Sequence, residues 1–220
     1  MRLIAFCGPS GSGKDSLTNY LLRFAPELMN WRPASYGQFF VRYAFADRAK
    51  DICSELLAID RINFEGERKD QPSRYSSRDL IKFFPFGGCI SDRVLNHREV
   101  LCLFAEFCRE LNPFCWINPV FQKLTADNPN LAIISDARRI DEFRTIKVRG
   151  GKLIKLNGWG ADRHPTYAGN DFEEYQNFDA QLNTKRLGLE KSKEVVTQLL
   201  IDWGYVVQKP EFMRGGLLAA

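Results

Sequence analysis

Histidine is almost missing from this chain: there are two among 220 residues, His97 and His164. The six cysteines, Cys7, Cys53, Cys89, Cys102, Cys108 and Cys115, include no C-x-x-C pair. With so few imidazoles to help, they do not make up a zinc-type ligand set. Most lie in apolar surroundings, where a free thiol packs as a small hydrophobe. Reduced core cysteines, and with them a cytoplasmic location, are the expectation. No apolar run approaches the length of a membrane span, so no membrane partner is expected. The run Leu3-Ile4-Ala5-Phe6-Cys7 is too short for a signal peptide and reads as a strand. Internal repeats and low-complexity segments are also lacking. Charge of one sign is only slightly in excess, at +4 with a pI of about 8.7, which suits anionic ligands without requiring nucleic acid.

What is present is an ordinary globular composition, 45% hydrophobic and 26% charged, over a length that fits one well-buried α/β core. A single domain over 1–220 is expected, with a mobile, charged insertion around 60–95.

The most informative stretch follows the first apolar run: Gly8-Pro9-Ser10-Gly11-Ser12-Gly13-Lys14-Asp15-Ser16. Leu17, Leu21, Leu22 and Phe24 then recur at helical spacing. Strand, glycine-rich turn and helix make up the context in which G-x-x-x-x-G-K binds phosphate. Glycines let successive backbone N–H groups face an anion, and the helix start adds its positive end. Lys14 would reach the β- and γ-phosphates of a nucleotide. The Ser or Thr expected after the lysine, which normally holds Mg²⁺, is replaced by Asp15, with Ser16 one place later.

Downstream, the first helix is expected from Lys14 to about Phe24, ending before Pro26. A loop over Met29–Gln38 with Pro33 and Gly37 follows, then a strand over Phe39–Tyr43, then a helix capped by Asp47. Asn63 to Tyr75 is charged and reads as a loop. Short helices are expected over Ser77–Phe84, with breaks at Pro85 and Gly87-Gly88. A longer helix is expected over Arg98–Leu111, and a short one carrying Trp116, Val120, Phe121 and Leu124. Leu131 to Asp136 reads as a buried parallel strand, followed by a charged helix closed by Gly150-Gly151 and a strand over Lys152–Leu156. A polar loop over Asn157–Asn177, with Arg163, His164 and Pro165, leads to a strand near Phe178–Leu182. A helix over Leu189–Trp203 and an edge strand over Tyr205-Val206-Val207 close the series.

Alternating strands and helices imply a mainly parallel central sheet with helices on both faces, a three-layer α/β fold. Ligands in such folds bind at the carboxyl ends of the strands. That rim would carry both Gly8 and the cluster Asp136-Ala137-Arg138-Arg139. An acidic residue at a buried strand tip is where phosphoryl-transfer enzymes hold the metal, and neighbouring arginines face phosphates.

These segments resemble the bacteriophage deoxynucleoside monophosphate kinases, within the P-loop nucleoside monophosphate kinase group. The likeness rests on the Gly-Lys-Asp ending of the glycine loop, Phe45-Ala46-Asp47-Arg48-Ala49-Lys50-Asp51 and Phe64-Glu65-Gly66-Glu67-Arg68-Lys69-Asp70. It is carried further by Arg98-Glu99-Val100-Leu101, Arg109-Glu110-Leu111, Trp116 and Ile133-Ile134-Ser135-Asp136-Ala137-Arg138. Together they cover most of Met1 to Leu156. Residues 83–92 have no counterpart in the resemblance. The resemblance implies that Gly8, Ser10, Gly11, Ser12, Gly13, Lys14, Asp15 and Ser16 bind ATP, with Asp15 and Ser16 on Mg²⁺. It implies that Lys50, Arg68, Arg98 and Trp116 shape the acceptor site, and that Asp136, Arg138 and Glu142 line the cleft between the two ligands.

The expected reaction is ATP- and Mg²⁺-dependent phosphorylation of a deoxynucleoside 5′-monophosphate, with Lys14, Asp136 and Arg138 catalytic. The acceptor phosphate is already ionised at neutral pH, so neither histidine is needed as a base. Three alternatives stand beside it. Two keep the fold and change the acceptor, to phosphomevalonate or to a hydroxymethylated base in phage DNA. The third is a nucleotide-binding regulator without transfer chemistry. The partner is a small nucleotide; nucleic acid is open but not favoured, and a homodimer is open. A phage-encoded chain would work in the host cytoplasm.

Overall fold

A computed structural model describes residues 2–28, 40–84, 92–158 and 171–206. The expected loop with Pro33 and Gly37, Phe39, the breaks at Pro85 and Gly87-Gly88, Cys89, the stretch with Arg163 and His164, and Val207 lie outside the described residues. Along the chain run β1 (Arg2–Cys7), α1 (Lys14–Leu28), β2 (Phe40–Tyr43), α2 (Phe45–Leu57), β3 (Pro72–Ser76) and α3 (Ser77–Phe83). Then come β4 (Val94–Asn96), α4 (His97–Leu111), α5 (Ile117–Asp127), β5 (Leu131–Ala137) and α6 (Ile140–Val148). The series ends with β6 (Lys152–Asn157), α7 (Asp171–Glu174), β7 (Ala180–Asn183) and α8 (Thr184–Asp202). The described residues fall into two compact units. One holds those up to Tyr43 and those from Lys123 onward; the other holds Ala44 to Gln122.

The first unit is built on a five-stranded sheet in the order β2-β5-β1-β6-β7, parallel at every pairing. β1 is its middle strand, apolar and buried from Leu3 to Cys7, as a strand covered on both faces must be. From β1 the chain crosses through α1 toward β2; from β5 it crosses through α6 toward β6, in the opposite direction. Right-handed crossovers running in opposite directions put α1 and α6 on opposite faces. The packing agrees. Ile4, Phe6, Ile133, Ile154 and Leu156 cluster with Leu17 and Leu21 of α1 and with Val196 and Leu200 of α8. On the other face a Cβ on Gly151 would touch both Leu3 and Ile146, and Phe143 packs on Tyr175 and Phe178 at ring distances of 5.1 and 5.7 Å. Each fully buried Leu, Ile or Phe here contributes roughly 1.5–3 kcal/mol. The mainly parallel α/β sheet with helices on both sides is therefore as expected.

The second unit packs α2 against α4. Phe84, Phe104, Phe107 and Trp116 form its aromatic centre. β3 and β4 pair antiparallel, a two-stranded ribbon that the sequence reading lacked. The charged stretch read as loop carries two 3-10 turns, Arg61–Phe64 and Arg68–Asp70, before β3. Both helices that follow the ribbon strands open on capping boxes. Ser76 Oγ accepts from Asp79 N at 3.2 Å, and Asn96 Oδ1 accepts from Glu99 N at 2.8 Å.

Several boundaries differ from expectation. α1 continues past Pro26, because a proline in the last turn forfeits a single i→i−4 bond. Asp47 does not cap α2: the helix starts at Phe45, with Ala44 extended before it. α8 starts five residues earlier than expected, because Asn183 Oδ1 caps it by accepting from Arg186 N at 2.9 Å, and a kink at Gly188 (φ 76°) absorbs the join. Tyr205 and Val206 form no strand; their amides close the end of α8 on Leu200 O.

Among the described residues, one buried hydroxyl in this packing is unsatisfied. Thr18, on α1, is 1% exposed and its hydroxyl has no hydrogen-bond partner. An unmade buried hydrogen bond costs about 1–3 kcal/mol. Thr18→Val, which keeps the branched shape, should therefore raise stability by about 1 kcal/mol in urea unfolding with an unchanged m-value.

Candidate phosphate-loop site

At the end of β1 the chain turns at Gly8, whose φ is +135°. A Cβ there would lie 2.3 Å from Leu156 O, so no other residue fits between β1 and β6. Gly13, at φ +94°, makes the last turn before α1. Lys14, the first residue of α1, folds its side chain back into the turn. Its Nζ donates to Gly8 O (2.8 Å), Pro9 O (2.5 Å) and Ser12 Oγ (3.3 Å), which occupies all three protons of the ammonium. The side chain is buried, and burial pushes its pKa down from 10.5 to about 8. The guanidinium of Arg138 pushes the same way, while the carboxylates of Asp15 and Asp136 oppose it.

The turn is braced from behind by residues that the sequence reading passed over. Thr184, at the start of α8, donates Oγ1 to Ser12 O at 2.9 Å. Gly158 lies so close that a Cβ would meet Thr184 Oγ1 at 2.5 Å and Ser12 Cα at 2.7 Å. The Asn183-Thr184 pair was a readable helix-start signal; nothing local marked Gly158.

β5 supplies the neighbouring rim. Ala5 pairs with Ile134 but Cys7 pairs with Ala137, so Ser135 and Asp136 together oppose Phe6. This one-residue bulge breaks the strand's alternation where Asp136 stands, and such bulges commonly re-aim side chains beside functional sites. Ser135 is buried and accepts from Arg42 Nε at 3.0 Å, a second basic side chain on this strand end that the sequence reading did not single out. Asp136 and Arg138 are half-buried, and both are within electrostatic reach of Lys14. Connections from β1 and β5 leave in opposite directions, so the two strand tips flank the topological switch point of the sheet, where open α/β folds take their ligands.

Glu142, assigned by resemblance to the ligand cleft, engages two backbone amides. It is 2% exposed, and its Oε2 accepts from the backbone N–H of Arg138 (2.7 Å) and of Arg139 (3.1 Å).

The residues that the resemblance assigns to the acceptor all belong to the second unit. Lys50 Nζ bonds both oxygens of Glu65 at 3.0 Å. Glu65 is shared with Arg61, which also reaches Asp51 at 2.8 Å. Arg98 presents Nε and Nη2 to the two oxygens of Asp70 at 2.7 and 2.9 Å, a forked pairing. Arg68 is exposed. Trp116 is in the core: it is 3% exposed, packs on Phe104 at 5.8 Å, and donates Nε1–H to Ala105 O at 3.1 Å.

Chemically, the first unit offers a buried cation inside a glycine turn, the unpaired N–H groups of a helix start, and exposed Asp15 and Ser16 on its first turn. That set fits a polyphosphate, and its oxygens fit a hard divalent cation. No protein-family model matches the chain, and comparison with curated proteins finds no match. Among the described residues no helix is long and apolar enough to cross a membrane.

Because Lys14 holds its proton less tightly folded than unfolded, the unfolded chain binds the extra proton between about pH 8 and 10.5. Stability contributed by this group therefore rises through that window. The wild-type stability minus that of Lys14→Met, from urea unfolding at pH 7.5 and 9.5, should be larger at the higher pH.

Proposed function

We propose that this protein is a P-loop kinase that transfers the γ-phosphoryl group of ATP to a deoxynucleoside 5′-monophosphate. The observation that carries the proposal is the Lys14 ammonium, buried in the turn after the central strand and electrostatically coupled to Arg138 and Asp136. In this reading the N–H groups from Gly8 to Ser16 cradle the phosphates of ATP, with Gly8, Gly11 and Gly13 supplying the positive φ values that turn requires. Lys14 leaves the loop carbonyls for the β- and γ-phosphates, exchanging neutral acceptors for charged ones. Asp15, Ser16 and Asp136 would hold Mg²⁺, which when bound supplies positive charge at the phosphate oxygens. Arg138 faces the moving group and stabilises charge spread over its equatorial oxygens. The acceptor phosphate is itself the nucleophile, so the chain needs to position it rather than deprotonate it.

For the acceptor, support comes from resemblance and from charge type. Arg98 already offers a guanidinium fork to a carboxylate, the geometry that also suits a phosphate dianion. Lys50, Arg68 and Trp116 are the other acceptor-side residues of this reading.

Lys14→Ala should abolish ATP-dependent transfer while leaving the circular dichroism spectrum of the folded protein in place; near-normal turnover in the folded variant would remove the phosphate-loop assignment. The panel that decides the acceptor is ATP consumption with the deoxynucleoside monophosphates, phosphomevalonate and hydroxymethyl-base DNA. Free monophosphates should be consumed, and salt-sensitive labelling of DNA with inert monophosphates would move the acceptor to the polymer.

Arg98→Lys keeps the charge but loses the fork. It should raise the acceptor KM about tenfold or more and leave the KM for ATP nearly unchanged. An unaltered acceptor KM would take Arg98 out of the acceptor site.

A further inference from the structure

Glu142 is the acidic side chain that most needs an explanation in the first unit. A carboxylate at 2% exposure has lost its water and must be compensated. Here one oxygen takes two consecutive backbone amides, those of Arg138 and Arg139, which join the bulged end of β5 to the start of α6. Glu142 also lies in the first turn of α6, where the helix favours negative charge. The junction it holds is short: β5 ends at Ala137, directly beside Cys7 in the ladder, and α6 starts at Ile140. Arg138 is therefore presented next to Gly8, the first residue of the Lys14 turn. A bulge frees this strand end from its ladder register, so something other than the sheet has to hold it.

We infer that Glu142 is a positioning residue: its carboxylate clamps the 138–139 backbone and thereby keeps the Arg138 guanidinium at the Lys14 turn, without itself touching substrate. The inference rests on the proposed function only where transfer is measured. The property that matters is an oxygen acceptor at that place, and the negative charge is secondary.

The test uses the full chain with Glu142→Gln, which retains an acceptor oxygen, and Glu142→Ala, which removes it. The first readout needs no activity. Amide hydrogen exchange at Arg138 and Arg139 is followed by mass spectrometry, which reads the two bonds to Glu142 Oε2 directly. Loss of the clamp frees both amides, so their exchange in Glu142→Ala should speed up about tenfold or more while that of Glu142→Gln stays near wild type. In the transfer assay Glu142→Ala should lose about tenfold or more in kcat with the KM for ATP changed less than about threefold, and Glu142→Gln should stay within about threefold on both. Should Glu142→Ala fail to fold, Glu142→Asp replaces it, since a side chain shorter by one methylene withdraws the oxygen from both amides. Wild-type exchange at Arg138 and Arg139 in the clamp-less variant overturns the inference, as does a Glu142→Gln as damaged as Glu142→Ala, which would put the charge itself on a reactant. If the wild type transfers phosphate to no acceptor, the proposed function falls and the exchange at these two amides alone decides the role of Glu142.

Discussion

A buried ammonium is the constraint on which this structure depends. Lys14 has little water, so its three protons must find protein oxygens, and Gly8, Pro9 and Ser12 provide them by wrapping the chain around it. That wrap demands φ values open mainly to glycine, and it brings the backbone of Gly8 against β6. The turn in turn needs a rigid base, which the five parallel strands provide with β1 in the middle. The lowered proton affinity of Lys14 records what burial costs the cation, with the Arg138 guanidinium adding repulsion. An arriving polyanion would relieve both conditions at once, the general logic of a preorganised anion site.

The second unit solves a similar problem with charge. Its basic side chains are met by carboxylates at short range, Lys50 by Glu65, Arg98 by Asp70 and Arg93 by Glu99. These pairs are partly exposed, so their worth lies less in stability than in fixing where each cation points. Asp70 and Glu65 both sit around the two 3-10 turns, and this ordering by ion pairs is why a stretch with scarcely an aliphatic residue holds defined geometry.

How much of this was legible depended on whether the cause was local. β1, β5 and β6 are apolar runs bounded by glycine or polar residues, and their positions and parallel arrangement follow from that pattern. The glycine turn and the start of α1 at Lys14 were equally readable, since loop, lysine and helix are contiguous. The β5 bulge was not, because it is a mismatch between two strands more than 120 residues apart and leaves no mark on either. Nor was the inward engagement of Glu142, which by composition is one acid among several at a helix start. The β3–β4 ribbon escaped because Pro72–Ser76 and Val94–Asn96 are short and lack clear alternation. The capping signals Ser76-x-x-Asp79 and Asn96-x-x-Glu99 were present in the sequence and would have marked the helix starts after both strands. Trp116 was read through the resemblance alone; its burial against Phe104 and its bond to the Ala105 carbonyl left no local mark.

The central place of β1 has a consequence for how the chain is made. Arg2 pairs with Leu131 and Ile4 with Lys152, and the glycine turn is braced by Gly158 and Thr184. β1 is therefore made more than 120 residues ahead of both neighbours and waits for them, on the order of ten seconds at cellular elongation rates. Until then five consecutive buried residues, Leu3 to Cys7, have no sheet to join. Such long-range pairing slows folding and leaves a sticky segment uncovered in the nascent chain. The sheet can close around β1 only once β5 and β6 have both been made, so the same topology that centres the glycine turn delays its assembly until those strands emerge.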